Sequence, residues 1–336
     1  MSTTIPPTAV GDFLDLAITG QRGRAVRSVL DLLDGGVPAA VLIRDVLMVA
    51  QRRVGEHWQR AEWSTADEHL VTGVTQATLD ALAATTPDGD APGTVVVACA
   101  EGDWHALPSQ LFAESLRAVG RGVIFLGAST PAADIASFLE QRQPDALAVS
   151  CSLPLAYLGV ARAVDAAHEH GLPVIAGGRA LTEPRAVSLG ADAWSADVEG
   201  AVAVLRSWRH TPPQVSREPV QLDPAAVVLD ATAEELADRA FADLERGFPP
   251  LTGYTERQRA HTRQDLVYIV RFVAAARLVD DATVFTDFLQ WLGDLLEARG
   301  VAPTALPVGL AALAPHLQEI DAAAHRLVAA DAVPQG

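Results

Sequence analysis

The sequence predicts an α/β fold, a doubly wound parallel sheet, set between two all-helical regions. Three observations carry this expectation. Short apolar, β-branched runs alternate with helical patterns between residues 94 and 208. Only helical patterns occur before residue 85 and after residue 225. Two turn-forming segments separate the regions: Thr85 to Gly93, rich in Pro, Gly and Asp, and His210 to Pro224, with prolines at 212, 213, 219 and 224.

In chain order, the first helix opens around Asp12-Phe13-Leu14 and is broken by Gly20 and Gly23; the second is Arg24 to Leu33. A third starts at Val37-Pro38 and runs toward Trp58. Ser64 reads as an N-cap with Asp67 favoured by the helix dipole, so a fourth covers Thr65 to about Ala84. Four amphipathic helices with brief turns predict an antiparallel four-helix bundle over residues 9–86. The sheet domain spans 93–210, with strands Thr94 to Ala100, Gly122 to Gly127, Ala146 to Ser152, Pro173 to Gly177 and Ala191 to Ser195. Helices are expected near 109–119, 131–142, 154–170, 182–189 and 198–208, giving a flavodoxin-like topology. A Pro-rich linker, 211–224, leads to an all-helical domain over 225–333, with helices near 232–247, 255–278, 281–299, 306–314 and 316–331. Thr232-Ala233-Glu234-Glu235 reads as a capping box.

Composition removes several classes of function. The 336 residues are 49% hydrophobic and 20% charged, as in globular proteins. A net charge of −17 repels phosphate backbones, so direct nucleic-acid binding is not expected. Every basic residue is Arg, which excludes Schiff-base lysine chemistry and a Walker-type phosphate loop. Cys99 and Cys151 both fall in core strands, so they form no disulfide framework and a reducing compartment is expected. The N-terminus has no signal-peptide pattern and no apolar run approaches the ~20 residues of a membrane span, so a cytoplasmic protein is expected.

The most specific motif is Asp103-Trp104-His105, directly after the first strand. An Asp two residues before a His suits a metal relay: the His gives one ring nitrogen to a metal and the Asp accepts the other N–H. Parallel sheets bind ligands outside the carboxyl ends of their strands. Ser150-Cys151-Ser152 ends the third strand and Gly177-Gly178 the fourth, where the plainer readings are capping and a permissive turn. In this order the residues resemble the cobalamin-binding domain of methionine synthase and its relatives. The resemblance implies His105 as lower cobalt ligand, Asp103 as its partner, and Ser150, Ser152, Gly177 and Gly178 lining the slot for the displaced nucleotide tail. One position departs: Pro108 stands where the family usually has Gly.

Trp58, nine residues, then Glu68-His69 resembles the helical cap of light-sensing cobalamin regulators. That implies adenosylcobalamin as the cofactor, Trp58 shielding the adenosyl group, Glu68 holding its ribose and His69 beside them. Light cleaves the cobalt–carbon bond in that family, and in its typical repressor a His following the Trp becomes the new upper ligand. Here that position is Gln59, while His57 precedes Trp58.

The third region carries an Arg/His-rich stretch from Tyr254 to Phe272 and aromatics at Phe285, Phe288 and Trp291, but no Cys. Arginines pair bidentately with carboxylates and aromatic walls fit planar rings, which suits a tetrapyrrole held without a thioether. The order of cap, cobalamin domain and helical domain resembles the photocobilins, photoreceptors pairing cobalamin with a non-covalent bilin. The resemblance implies a globin-like third domain and a biliverdin pocket near Arg257, His261, Arg263, Asp265, Tyr268 and Trp291. Two other readings of this domain stay open: a dimerisation module, and a haem globin with His261, His316 or His325 as axial ligand.

The leading expectation is a light sensor without catalytic turnover, whose photochemistry changes conformation or oligomeric state and signals to a partner protein; a homo-oligomer is expected. The rival is a corrinoid methyl carrier of a methyltransferase system. That carrier would need neither Trp58 with Glu68-His69 nor a third domain. A radical mutase is not expected, because no pattern of a substrate-enclosing barrel accompanies the cobalamin-like domain in this sequence.

Overall fold

A computed structural model describes residues 4–85 and 93–332, so most of the first turn-rich segment, and residue 333, lie outside the described residues. The chain divides into two compact units: Met1–Ser152 with Gly159–Glu218, and Pro219–Gly336 with Leu153–Leu158.

The first unit begins with α1 (Ala9–Ile18) and α2 (Arg22–Asp34). The break between them lies at Gly20, whose φ of +72° suits a residue without Cβ. Gly23 is not a breaker as expected; it sits in the first turn of α2, where the buried Ala25 and Val29 hold the helix down. The third helical stretch comprises α3 (Ala39–Leu42), a π turn over Ile43–Leu47, and α4 (Met48–Gln59). Then α5 (Thr65–Ala83) starts on a complete capping box: Ser64 Oγ accepts the Asp67 N–H at 3.2 Å, and Asp67 Oδ2 accepts the Ser64 N–H at 2.8 Å. Phe13, Leu42, Leu47, Leu79 and Leu82 form the core of this region, and Leu107 and Leu111 from the sheet domain join it.

The sheet has five parallel strands in the order β2-β1-β3-β4-β5: β1 (Thr94–Cys99), β2 (Gly122–Phe125), β3 (Ala146–Ser150), β4 (Val174–Gly177) and β5 (Ala193–Ser195). The first three end one or two residues before the expected limits, because those residues leave the ladder to build loops. Between the strands run α6 (Ala106–Ala118), α7 (Ala132–Arg142), a 3-10 turn at Pro154–Ala156 leading into α8 (Tyr157–Glu169), and α9 (Glu183–Ser188); α10 (Val198–Trp208) follows β5. Ala113 and Leu116 of α6 and Ala201 and Leu205 of α10 cover one face over Val95, Val97, Ala148 and Ile175. Burial of successive residues, which point to opposite faces, explains why the central strands β1, β3 and β4 read as unbroken apolar runs.

The second unit holds α11 (Pro224–Ala231), α12 (Ala233–Gly247), a 3-10 turn at Pro249–Gly253, α13 (Glu256–Leu278), α14 (Thr283–Ala298), α15 (Ala305–Gln318) and α16 (Ala322–Asp331). Two expectations are corrected. Thr232 makes no capping box, because it also ends α11 and its hydroxyl donates to the Val228 carbonyl at 2.8 Å. The complete box lies at Thr255, whose Oγ1 accepts the Gln258 N–H at 3.2 Å while Gln258 Oε1 accepts the Thr255 N–H at 2.9 Å. Pro315 does not split the penultimate helix. Buried Leu313 and Leu317 carry α15 through it to Gln318, and α16 starts where Asp321 accepts the Ala323 N–H at 2.8 Å. Near the end of α13, the Arg277 guanidinium donates to Asp321 and to Asp223, both at 2.7 Å. Asp223 also caps α11 through the Ala225 N–H at 2.9 Å, so one Arg joins the N-caps of α11 and α16.

Candidate functional site

In this strand order the chain passes from β1 to one neighbour and later returns to its other side at β3. The carboxyl ends of β1 and β3 therefore flank the switch point, where open α/β sheets form their ligand crevice. The loop leaving β1 turns on Gly102 (φ +88°), and the Asp103 N–H donates back to the Ala100 carbonyl at 2.9 Å. Ser129 pins it from the next loop: its Oγ accepts the Gly102 N–H at 3.0 Å, and its N–H donates to the Asp103 carbonyl at 2.9 Å. The Cys99 thiol donates to the His105 carbonyl at 3.8 Å, and burial pushes that thiol up to about 11, so it stays protonated.

Asp103 is 2% exposed. Its Oδ1 accepts the His105 Nδ1–H at 2.8 Å and the His105 backbone N–H at 3.0 Å; its Oδ2 accepts the Ser152 N–H at 2.6 Å across the switch point. Burial alone would raise this carboxyl, but the His105 side chain, the His105 N–H and the Ser152 N–H outweigh it and hold the group below the usual carboxylate range. The bond to Asp103 raises His105, burial opposes it, and the charges of Asp103 and Glu68 add to the rise. With Nδ1 committed to Asp103, Nε2 of a ring that is half exposed is the nitrogen left for a metal. Among the described residues there is no group of three or more His, Cys, Asp or Glu that could hold a metal ion by itself, so a metal here would bring most of its own ligands.

Of the two glycines at the end of β4, Gly178 is a spatial requirement and Gly177 is closely packed. Gly178 has φ +104°, and a Cβ there would lie 2.4 Å from the Cys151 carbonyl oxygen; at Gly177 it would lie 3.1 Å from that of Ser195. Ser150 ends β3, and Ser152 contributes its backbone N–H to Asp103. Gly159, not anticipated from sequence, is as constrained: its Cβ would lie 2.1 Å from the Glu101 carbonyl oxygen, so α8 packs directly on the loop before Asp103. The available signal was a lone glycine in a helical pattern just after the Ser-rich strand end.

The helix that His105 precedes, α6, also ties the site to the N-terminal helices. Gln110 Oε1 accepts from Gln76 at 2.8 Å and Gln110 Nε2 donates to Asp80 at 3.2 Å, both on α5. The same α5 carries Glu68, with Thr72 Oγ1 at 2.9 Å from its Oε1 and at 3.2 Å from Gln51 Oε1. Gln51 and Thr72 are positioning groups that the sequence did not single out. His69 Nε2 lies 3.3 Å from Glu68 Oε2 and is exposed. Trp58 is half-buried and donates to Thr65 Oγ1 at 3.3 Å, closing the turn from α4 to α5. His57 pairs through Nδ1 with Glu62 at 2.5 Å and stacks on Trp63.

In the second unit, Arg257, His261, Asp265 and Tyr268 recur on α13 at spacings of four, four and three, which puts them on one helix face. Burial pushes Asp265 up to about 6, opposed by the charges of His261 and Arg299. Arg263 lies off that face and is paired with Asp238; Arg259 is likewise paired with Glu245. Trp291 reaches α13 through rings: Phe272 stacks on Phe288 at 3.8 Å, and Phe288 lies 6.1 Å from Trp291. His316 and His325 each commit one ring nitrogen, to Asp243 and to the Ala314 carbonyl, which leaves His261 as the least committed of the three haem-ligand candidates.

A carboxylate-backed imidazole at the switch point of a five-stranded parallel sheet, with close-packed glycines on the neighbouring strand end, defines a cofactor-binding α/β protein. Residues 93–206 match the family model described as a B12 binding domain, and residues 10–83 match a second model of the same description. The chain is a cobalamin-binding protein. It is similar to the monomethylamine corrinoid protein of Methanosarcina barkeri, with 20% identity over 59% of this chain and 98% of that one and a TM-score of 0.52, a likeness of fold. A cobalamin-binding protein from Desulfitobacterium hafniense DCB-2 matches at 24% identity, covering 59% of this chain and 98% of that one, with a TM-score of 0.33. A chain of the methanol:cobalamin methyltransferase complex of M. barkeri matches at 20% identity, covering 66% and 88%, with a TM-score of 0.34. No curated protein matches the chain. Among the described residues no helix is long and apolar enough to cross a membrane.

Proposed function

We propose that this chain is a cobalamin-dependent light sensor without catalytic turnover, using adenosylcobalamin and a non-covalent bilin of the biliverdin type. The carrying observation is the Asp103–His105 pair, 2.8 Å apart at the switch point, on a loop whose following helix is bonded through Gln110 to α5, the helix that carries Glu68 held by Thr72. When bound, the cofactor supplies a photolabile cobalt–carbon bond. In this reading His105 offers Nε2 to cobalt, and Asp103 fixes its tautomer. Ser150, Ser152, Gly177 and Gly178 leave room for the nucleotide tail. Trp58 and Glu68 cover the adenosyl group, with His69 as Glu68's neighbour.

In the second unit, Arg257, His261, Asp265 and Tyr268 share a face beside the Phe272–Phe288–Trp291 rings. We assign pyrrole contacts to His261 or Asp265 and a propionate to Arg257. Arg263 is already paired with Asp238 and would have to exchange that carboxylate for a propionate. The signal passes as a change of conformation or self-association to a protein partner, in the cytoplasm.

A second reading, a corrinoid methyl carrier, is supported by the likeness to the monomethylamine corrinoid protein. That likeness covers 59% of this chain, while Pro219–Gly336 belongs, with Leu153–Leu158, to a second compact unit. The test is absorption of the full chain loaded with adenosylcobalamin or methylcobalamin, with and without biliverdin, in darkness and after illumination. The sensor reading expects tighter retention of the adenosyl form, a red-shifted bilin band, and a light-dependent change in elution volume. Preferential retention of the methyl form, with no biliverdin uptake and no light-dependent change, would establish the carrier instead.

A further inference from the structure

At the opposite end of the sheet from His105, where the strands begin, lies a cleft of about 470 Å³. Arg121, on the turn between α6 and β2, lines it together with Asp145, Pro173, Trp208 and Arg209. Arg121 is only 9% exposed, and its buried Nε has no hydrogen-bond partner. A guanidinium N–H buried without an acceptor is costly, and a fixed fork of donors matches carboxylate and phosphate oxygens.

The surroundings reinforce the demand for an anion. Arg206 and Arg209, near the end of α10, both disfavour charge on Arg121, and burial disfavours it more; Asp145 is the carboxylate that opposes them. Arg217 comes close to Gly171 on the cleft wall, since a Cβ there would be 3.7 Å from its NH2. Arg121 thus has two further arginines and one aspartate acting on it, with Arg217 at the cleft wall, in a chain whose net charge is −17. Trp208 and Pro173 add apolar lining, with an indole ring among it. A volume of this size lies in the range of small-molecule sites.

We propose that this cleft is a second ligand site, for a small organic anion whose phosphate or carboxylate pairs with Arg121 and whose flat ring lies against Trp208. The site is separate from the cobalamin crevice, so the proposal stands whether the sensor or the carrier reading holds. Its occupant bridges the strand-initial edge of the sheet and the end of α10.

The test is calorimetric titration of the cobalamin-loaded full chain with AMP as the phosphate probe, benzoate as the carboxylate probe and adenosine as the uncharged control. Saturable one-to-one binding of either anion supports the proposal, and the probe that binds tells phosphate from carboxylate. Adenosine should bind at least about tenfold more weakly than AMP if phosphate is the head group. Arg121→Gln should weaken the binding about tenfold or more, with Arg121→Lys intermediate and cobalamin retention unchanged. Arg209→Gln, at an exposed position, gives an independent reading and should weaken it by about threefold. The idea is overturned if neither anion binds by about 10 mM, or if Arg121→Gln and Arg209→Gln bind as the parent does.

Discussion

Replacing Asp103 with Asn removes one charge and one acceptor from the centre of the site. The Asn oxygen can keep facing the two N–H groups of His105, but its amide nitrogen then opposes the Ser152 N–H that now lies 2.6 Å from Oδ2. A bond to a charged acceptor contributes about 1.5–3 kcal/mol, and the buried donor left behind adds to the cost, so a loss of about 3 kcal/mol is expected. The imidazole bond adds less, because half of that ring faces solvent. The pH dependence has two limbs. Asp103 is held below its ordinary range, so its contribution is present above about pH 4 and disappears as pH falls through its folded value. His105 is raised, so its contribution is complete below about pH 6.5 and fades as pH rises through its folded value. The difference between parent and D103N should therefore peak between about pH 4 and 6.5. Urea unfolding of the cobalamin-free chain across this range measures it, and NMR titration should show His105 dropping toward about 6.5 in the variant. Cobalamin affinity should fall about 10- to 100-fold, since the ligand loses its orienting partner. An unchanged His105 titration, or a stability difference below about 0.5 kcal/mol at pH 5.5, refutes the reasoning.

Three further changes probe other parts of the chain. Gly178→Ala should cost at least about 2 kcal/mol and weaken cobalamin retention, because φ is +104° and the new Cβ would lie 2.4 Å from the Cys151 oxygen; a normal melting curve would contradict this. Arg277→Met should destabilise the chain by about 2–4 kcal/mol in chemical unfolding, since two caps lose their shared donor. Asp265→Asn acts through pH: with its carboxyl raised to about 6, stability should fall as pH rises from about 4 to 6, by up to about 3 kcal/mol. The variant should lack that slope, and a parallel slope in both proteins would rule out Asp265 as its source.

The sheet was legible because its central strands, buried along their length, leave unbroken apolar runs, and each of the five expected strands is present. The Asp103–His105 relay was legible because its chemistry is local, two residues apart on one loop. The groups that hold it were not. Ser152 acts through its backbone, Ser129 comes from another loop, and Gly159 is constrained by a helix meeting Glu101. Such contacts join segments far apart in sequence and leave no periodicity. The same limit explains Thr232, whose capping motif was overridden by the preceding helix, and Pro315, where burial of Leu313 and Leu317 outweighed the proline. Placing Arg263 beside His261 followed composition; the helix face and the Asp238 partner separate them.

Arg277 has a kinetic consequence. Terminal helices usually fray first, opening and closing independently of the rest. Here α16 cannot detach without taking Asp321 from the guanidinium that also holds Asp223, so its opening loosens the start of α11 as well. The amide protons of Ala225 and Ala323, on caps nearly 100 positions apart in the chain, should therefore exchange with solvent at matched rates, as members of one cooperative piece.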